Sequence, residues 1–266
     1  MFDQHQLWQD VGYEVKDGKL EDGESVTLSR NSKSSPEFLE NHSPIDDLIV
    51  FKCFNNNQDQ VDYLISEIEK NINEDELKLD DIMVIHPEPY TAKRAVGAIR
   101  TELFNKGINS NLAGVTTTPD EFFKDNAVVF TQIYRAKGNE APMVYIINAQ
   151  ECFDAVNVAQ KRNMLFTALT RSKAWVRVLG YGANMQSLKQ EYEQVKNSQF
   201  ELKFTYPTEA ERNKLNIVNR DMSEQERKNL KRKSATVDEL IQSLMSGEIH
   251  KEDLSDEQRN RLKQLL

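Results

Sequence analysis

The sequence has little of what marks membrane proteins or disulfide-rich proteins. No apolar run approaches the ~20 residues that a membrane-spanning helix needs, and the 266 residues include only two cysteines, Cys53 and Cys152. These two lie far apart in strand-like surroundings and lack metal-ligand spacing, so we interpret them as buried, reduced thiols. We therefore expect a soluble, cytoplasmic protein with no membrane contact, no disulfide framework and no metal site of its own.

Positive charge is also scarce. Thirty-four Lys and Arg residues stand against 43 Asp and Glu, which gives a formal net charge of −9. Proteins that bind nucleic acid without sequence preference usually present a basic face. The overall charge therefore argues against a generally basic surface, although it leaves room for a local basic groove. Hydrophobic content of 38% is typical of a globular chain with a real core.

What the sequence does contain is an alternation of short β-branched runs with helical periodicity. The predicted strands are residues 26–28, 48–54, 82–85, 127–131, 143–148, 174–179 and 200–206. The predicted helices include residues 59–71, 92–105 and 185–197, and an apolar helical pattern ends at Thr170-Arg171. This alternation indicates an α/β fold, a three-layer domain with a mostly parallel sheet and crossover helices. In such sheets the ligand site is expected at the carboxyl ends of the strands.

Composition divides the chain into three parts. Residues 1–25 are predicted to be a connecting segment that packs Trp8, Tyr13 and Val15 on the domain behind it. Residues 26–206 are predicted to form the α/β domain. Residues 207–266 have no strand pattern and many charges, so they predict a helical tail of three or four short capped helices. Its one dense basic cluster, 228–233, is either a solvated helix face or a contact for phosphate or an acidic partner.

Three stretches carry recognisable motifs. Residues 135–147, RAKGNEAPMVYII, and 162–178, RNMLFTALTRSKAWVRV, each set charged residues beside buried-looking apolar runs. Residues 28–39, LSRNSKSSPEFL, place two cations in a loop after a strand. With these motifs in this order, the chain resembles the second RecA-like domain of superfamily 1 DNA helicases of the UvrD/Rep type, over about residues 1–206. The stretches are similar to motifs V, VI and IV of that family, and the likeness is greatest to members in which this half follows a nuclease-related N-terminal domain.

The resemblance implies roles in a nucleotide site. Arg171, at the end of motif VI, corresponds to the arginine finger that reaches ATP bound on another domain. A planar guanidinium suits this role because charge moves on the γ-phosphate during phosphoryl transfer. Glu140 stands where the family contacts the nucleotide sugar, and Gly138 lets backbone approach a ligand closely. The implied cofactor is ATP with Mg²⁺, held mainly by an N-terminal RecA-like helicase domain as partner.

The resemblance also implies contacts to single-stranded DNA. Gln132 and Tyr134 occupy the positions of a threonine and a histidine that contact the DNA strand, and Tyr134 has a ring able to stack on a base. Arg135 and Lys137 are expected to line the domain cleft between nucleotide and nucleic acid.

The sequence departs from the family pattern in three respects. Lys33 stands where motif IV has its arginine, so the second phosphate contact is either Lys33 or the neighbouring Arg30. The interval between motifs IV and V is too short for the large inserted subdomain of UvrD/Rep relatives. No GxxxxGK[ST] sequence and no apolar strand ending in Asp-Glu occur, so the chain alone is predicted not to hydrolyse ATP. The alternatives are a non-catalytic regulatory module derived from a helicase and, disfavoured by the missing phosphate loop, a self-contained nucleotide enzyme.

Overall fold

The computed structural model describes residues 6–34, 38–118, 120–153 and 158–212. The chain divides into two compact units, Met1–Thr208 and Glu209–Leu266. Of the second unit the structure describes only the short helix α9, Glu209–Arg212. The other helices predicted for residues 207–266, and the basic cluster at 228–233, lie outside the described residues.

The large sheet of the first unit has six strands. In chain order these are β3 (Ile49–Phe54), β4 (Ile82–His86), β5 (Ser110–Leu112), β6 (Val128–Gln132), β7 (Ala141–Ile146) and β8 (Ser172–Tyr181). Their spatial order is β3-β8-β7-β4-β6-β5, and every neighbouring pair is parallel. The predicted parallel sheet is thus confirmed.

The helices are, in chain order, α1 (Gln6–Asp10), α2 (Phe38–His42), α3 (Ile45–Leu48), α4 (Asn57–Asn73), α5 (Ala92–Asn105), α6 (Ile133–Ala136), α7 (Val158–Leu169) and α8 (Gly182–Asn197). Residues of α4 and α5 pack on one face of the large sheet, and residues of α6, α7 and α8 pack on the other. The result is the three-layer α/β arrangement that the alternation predicts. None of the helices in the described part of the chain is long and apolar enough to cross a membrane.

A second, smaller sheet is antiparallel. It contains β1 (Tyr13–Gly18), β2 (Ser25–Arg30) and β9 (Leu202–Thr205), in the order β1-β2-β9. Its own core joins Trp8, Val26, Leu28 and Tyr206, all buried. The stretch interpreted as a connecting segment therefore supplies a strand, and the strands at 26–28 and 200–206 do not belong to the parallel sheet.

Two local details differ from the sequence-based expectation. The last strand begins at Leu202 rather than Phe200, because Gln199 and Phe200 both have positive φ (56° and 58°) where the chain leaves α8. Val15, expected to pack, is 45% exposed on β1. Of the two cysteines, both free, Cys152 is buried as expected and Cys53 is only half-buried on the edge strand β3.

Candidate nucleotide and nucleic-acid site

The ends of the two central motifs meet where β7 and β8 begin. Ala141 lies opposite Ser172 in the register of these strands, and the amide of Ala141 donates a 3.0 Å hydrogen bond to the carbonyl of Arg171. Glu140 and Arg171, adjacent to this pair, are thereby brought together at the amino edge of the sheet. Both residues precede their strands and so lie at the edge opposite to the carboxyl edge, where the sequence predicts a ligand site.

Arg171 follows the last turn of α7 and folds back upon it. Its Nε donates to the carbonyl of Thr167 at 3.2 Å, and an Nη donates to Oγ1 of Thr170 at 3.3 Å. The other Nη lies 3.9 Å from a carboxylate oxygen of Glu140. The free carbonyls and the negative end of the helix dipole favour a cation here. The Arg171 side chain is 17% exposed and that of Glu140 is 50% exposed, so one long, weak ionic contact joins a largely buried guanidinium to a half-exposed carboxylate.

Gly138 has φ +90°, which only glycine adopts readily, and open space surrounds the position of a Cβ. The turn is closed by the amide of Asn139, which donates to the carbonyl of Ala136 at 3.0 Å. The structure thus explains the glycine at position 138, because its conformation directs the chain from α6 toward β7. Its predicted contact with a nucleotide stays a prediction.

The proposed DNA contacts begin at the opposite, carboxyl edge. Gln132 is the last residue of β6, and its Oε1 accepts a 2.7 Å hydrogen bond from the amide of Tyr134. This side chain caps α6, so its carbonyl oxygen is already engaged. The Tyr134 side chain is 61% exposed and its ring is open for stacking.

Arg135 and Lys137, both expected to line the domain cleft, differ in exposure. Arg135 is half-buried and its guanidinium packs on the turn after β5, where a Cβ added to Gly114 would lie 2.5 Å from its Cζ. Lys137 is exposed. The Arg135 side chain therefore supports the loop beside the site, and Lys137 is the more accessible cation.

Arg30 and Lys33 belong to the small sheet and its following turn. An Nη of Arg30 donates to the carbonyl of Val11 at 3.1 Å, and its guanidinium lies 5.0 Å from the Tyr13 ring centroid. Lys33 is exposed. Within the described residues no hydrogen bond or ion pair joins either cation to Glu140 or Arg171, so the choice between them stays open.

The structure adds residues that motif reading missed. His86 at the end of β4 pairs with Gln132 at the end of β6, so the segment after β4 emerges beside Tyr134. It carries Tyr90, which is 96% exposed, and leads into the exposed Lys93 and Arg94 in the first turn of α5. An aromatic residue and two cations directly after a predicted strand are the sequence signal that would have found them.

Two further groups at this edge are structural. His86 is 2% exposed, and its Nδ1 accepts from the amide of Glu88 at 3.1 Å. Burial lowers the pKa of its imidazole. Lys161 of α7 pairs with Glu88 at 2.5 Å, which ties the start of α7 to the segment after β4.

Comparison with known proteins gives a match over the two central motifs. Residues 127–179, from the residue before β6 into β8, match the model of the UvrD-like helicase C-terminal domain. Among solved structures, the C-terminal domain of a possible DNA helicase from Lactobacillus plantarum WCFS1 is similar, with 20% sequence identity and a TM-score of 0.38. The likeness covers 55% of this chain and 81% of that one. No curated protein matches the chain. The predicted resemblance is confirmed: over residues 127–179, which contain both central motifs, the chain is similar to the UvrD-like helicase C-terminal domain.

Proposed function

We propose that this chain is the C-terminal motor half of an ATP-dependent DNA helicase. The observation that supports this most is the junction of the two motifs, where Ala141 bonds to Arg171 and Glu140 lies beside the guanidinium. A single short segment, residues 133–140, connects this pair to Tyr134 at the other edge of the sheet. The proposed nucleotide contacts and DNA contacts are therefore adjacent in sequence and lie at opposite edges of one sheet.

At the amino edge Arg171 acts as the arginine finger. Its present partners are a backbone carbonyl, a hydroxyl and a carboxylate at 3.9 Å. A terminal phosphate is a stronger acceptor that matches the guanidinium fork, so the side chain turns to it when the N-terminal half closes. When water attacks the γ-phosphorus and the bond to the bridging oxygen breaks, the guanidinium would stabilise the charge that moves to the leaving oxygen. Glu140, released from Arg171, is then available to the nucleotide sugar.

The bound nucleotide is ATP, and this chain supplies only part of its site. Arg171 and the exposed turn at Gly138 fit the phosphate portion in charge and in access. The accompanying Mg²⁺ neutralises phosphate charge, and we assign its ligands to the N-terminal RecA-like half, because the sequence lacks the phosphate loop and the acidic strand end that hold it.

Single-stranded DNA lies along the carboxyl edge. Tyr134 and Tyr90 offer rings for stacking, and Lys93 and Arg94 offer charge for phosphates. A local basic and aromatic strip of this kind is compatible with the chain's net charge of −9, because contact with a strand requires only a local field.

The test is the steady-state ATPase of this chain combined with a Walker-A-bearing N-terminal half. We expect no hydrolysis by the chain alone and DNA-stimulated hydrolysis by the combination. Arg171→Ala should lower turnover by roughly 10³-fold while nucleotide affinity falls much less. Arg171→Lys should restore little, since an ammonium does not reproduce the fork. Lys173→Ala, which removes an exposed cation two residues further on, is the matched control and should retain turnover.

Two outcomes would contradict the proposal. Hydrolysis by the isolated chain would contradict the half-site assignment. Full activity of Arg171→Ala would show that Arg171 is not the arginine finger. If the combined halves associate and bind DNA but wild-type chain restores no hydrolysis, the non-catalytic regulatory module becomes the better description.

A further inference from the structure

A cavity of about 350 Å³ opens on the face of the large sheet that carries α4. It lies between the first half of β7 and β8, the end of α4 and the segment that follows α4. None of the residues predicted to contact nucleotide or DNA lines it. Its volume falls in the range of ligand pockets, and nothing in the proposed helicase function uses it.

The walls of this cavity combine apolar surface with fixed hydrogen-bond acceptors. Trp175 and Met143 supply apolar and aromatic surface. Asn71, only 2% exposed, accepts a 2.5 Å hydrogen bond from the Tyr145 hydroxyl and donates a 2.9 Å bond to the carboxylate of Asp75. This chain of bonds runs from the sheet to the cavity wall, so the Asp75 carboxylate is held in place before any ligand arrives.

The charges around the cavity do not balance. Arg177 is paired with Asp47 at 2.9 Å, and Lys70 lies 3.8 Å from Asp75. Among the described residues no cation lies within ion-pair distance of the half-buried Glu67.

The Glu67 carboxylate lies near the Tyr63 hydroxyl on α4. Burial, followed by the charge of Glu67, raises the pKa of Tyr63 to about 12 and also raises the pKa of Tyr145. Three carboxylates (Asp47, Glu67 and Asp75) and two cations (Lys70 and Arg177) therefore line the cavity together with Trp175, so the lining carries an excess of negative charge.

We propose that this cavity binds an arginine side chain presented by a partner protein. A guanidinium stacks flat on the face of a tryptophan such as Trp175, and its edge donates to carboxylates such as Glu67 and Asp75. The aliphatic stem of arginine suits the apolar surface of Met143. A nucleic acid is the wrong partner here, because the excess of carboxylates over cations in the lining repels phosphate.

The probe is Nα-acetyl-arginine amide, titrated into the full chain while the indole N–H signals of Trp175 and Trp8 are followed by NMR. Trp8→Phe assigns the two signals, since the sequence has only two tryptophans. We expect the Trp175 signal to shift with a Kd on the order of 1 mM, the scale of one isolated side chain, and the Trp8 signal to stay. The corresponding citrulline amide has the same shape without the charge, and its affinity should be at least about tenfold lower.

A matched pair of variants locates the charge. Glu67→Gln should weaken binding of the arginine probe about tenfold. Glu69→Gln, on the same helix but paired with Lys106 at 2.9 Å outside the cavity, should leave it unchanged. The comparison of arginine with citrulline in the wild-type chain keeps the test valid even if Glu67→Gln impairs folding.

Equal binding of the arginine and citrulline probes would overturn the proposal, as would the absence of any Trp175 shift at 20-fold the expected Kd. Tighter binding of Nα-acetyl-glutamate amide than of the arginine probe would also overturn it, because the cavity would then favour an anion through Lys70 and Arg177. The outcome is independent of ATP hydrolysis and of DNA binding.

Discussion

Arg177 and Asp47 form a salt bridge of 2.9 Å in which the arginine side chain is only 9% exposed. The guanidinium also donates to the backbone carbonyl of Asp47 at 2.5 Å. Asp47 belongs to α3, so the contact fastens this short helix to the middle of β8. Asp47→Ala leaves a nearly buried guanidinium without its carboxylate, and we expect a loss of about 1–3 kcal/mol in the free energy of unfolding.

The control for that prediction is the neighbouring residue. Asp46, also in the first turn of α3, pairs with Lys196 at the surface and is 68% exposed. Asp46→Ala removes the same charge from the same helix end, so a difference between the two variants in urea unfolding measures the buried pair. Equal losses would show that the helix end, rather than Arg177, accounts for the effect.

Gly114 is predicted to be essential for the position of Arg135. It has φ +72°, and an added Cβ would contact the guanidinium. Gly107 has φ +79° with open space around it, so each alanine substitution should cost about 1–2 kcal/mol through the backbone. Only Gly114→Ala should also couple to Arg135→Ala in a double-mutant cycle. Additivity in both cycles would mean that Arg135 moves aside without cost.

The two exposed tyrosines of the carboxyl edge are predicted to stack on DNA bases. In the combined helicase, Tyr134→Ala and Tyr90→Ala should each weaken single-stranded DNA binding by about 1–3 kcal/mol. They should lower DNA-stimulated ATPase far more than basal ATPase. Tyr134→Phe keeps the ring and should bind normally. Phe104→Ala, which removes a 72% exposed ring from the last turn of α5, is the control, and an equal effect there would argue against specific stacking.

His86 predicts a pH dependence of stability. Burial lowers the pKa of this histidine in the folded state below the 6.5 of the unfolded chain. The unfolded state therefore binds more protons, so the stability due to neutral His86 is complete above about pH 6.5 and is lost as the pH falls below it. Urea unfolding at pH 7.5 and 5.5 should show a smaller pH effect for His86→Asn than for the wild-type chain. His42→Asn changes an exposed histidine and should leave the pH effect intact. If His86→Asn shows the same pH effect as the wild-type chain, another titrating group causes that effect.

How much of this the sequence predicts depends on the range of the interaction. The helix predicted at 92–105 is found as Ala92–Asn105, because its apolar stripe and its Lys106-Gly107 end are local signals. The small sheet was beyond prediction, because β2 pairs with β9 and thus joins Ser25 to Thr205. Nothing local in either strand distinguishes that partner from a neighbour in the large sheet.

The same distinction applies to the site. Motif order predicts that Arg171 ends a helix and precedes a strand, and the structure has this arrangement. Because Arg171 precedes a parallel strand, it lies at the amino edge of the sheet. The general rule that ligands bind at the carboxyl edge does not take this position into account. The capping role of Gln132 and the packing of Arg135 on Gly114 depend on side-chain contacts, which residue types alone do not determine. Tyr90 was missed because no motif includes it.

The connection between β6 and β7 is short. Only residues 133–140 join Gln132, at the carboxyl edge, to Ala141, at the amino edge. Four of them form α6, and the amide of Asn139 closes the turn that follows by donating to the carbonyl of Ala136. We therefore expect a displacement of Tyr134 to shift Glu140 through this hydrogen-bonded segment. Inserting two residues after Gly138 would lengthen the path while leaving both ends in place.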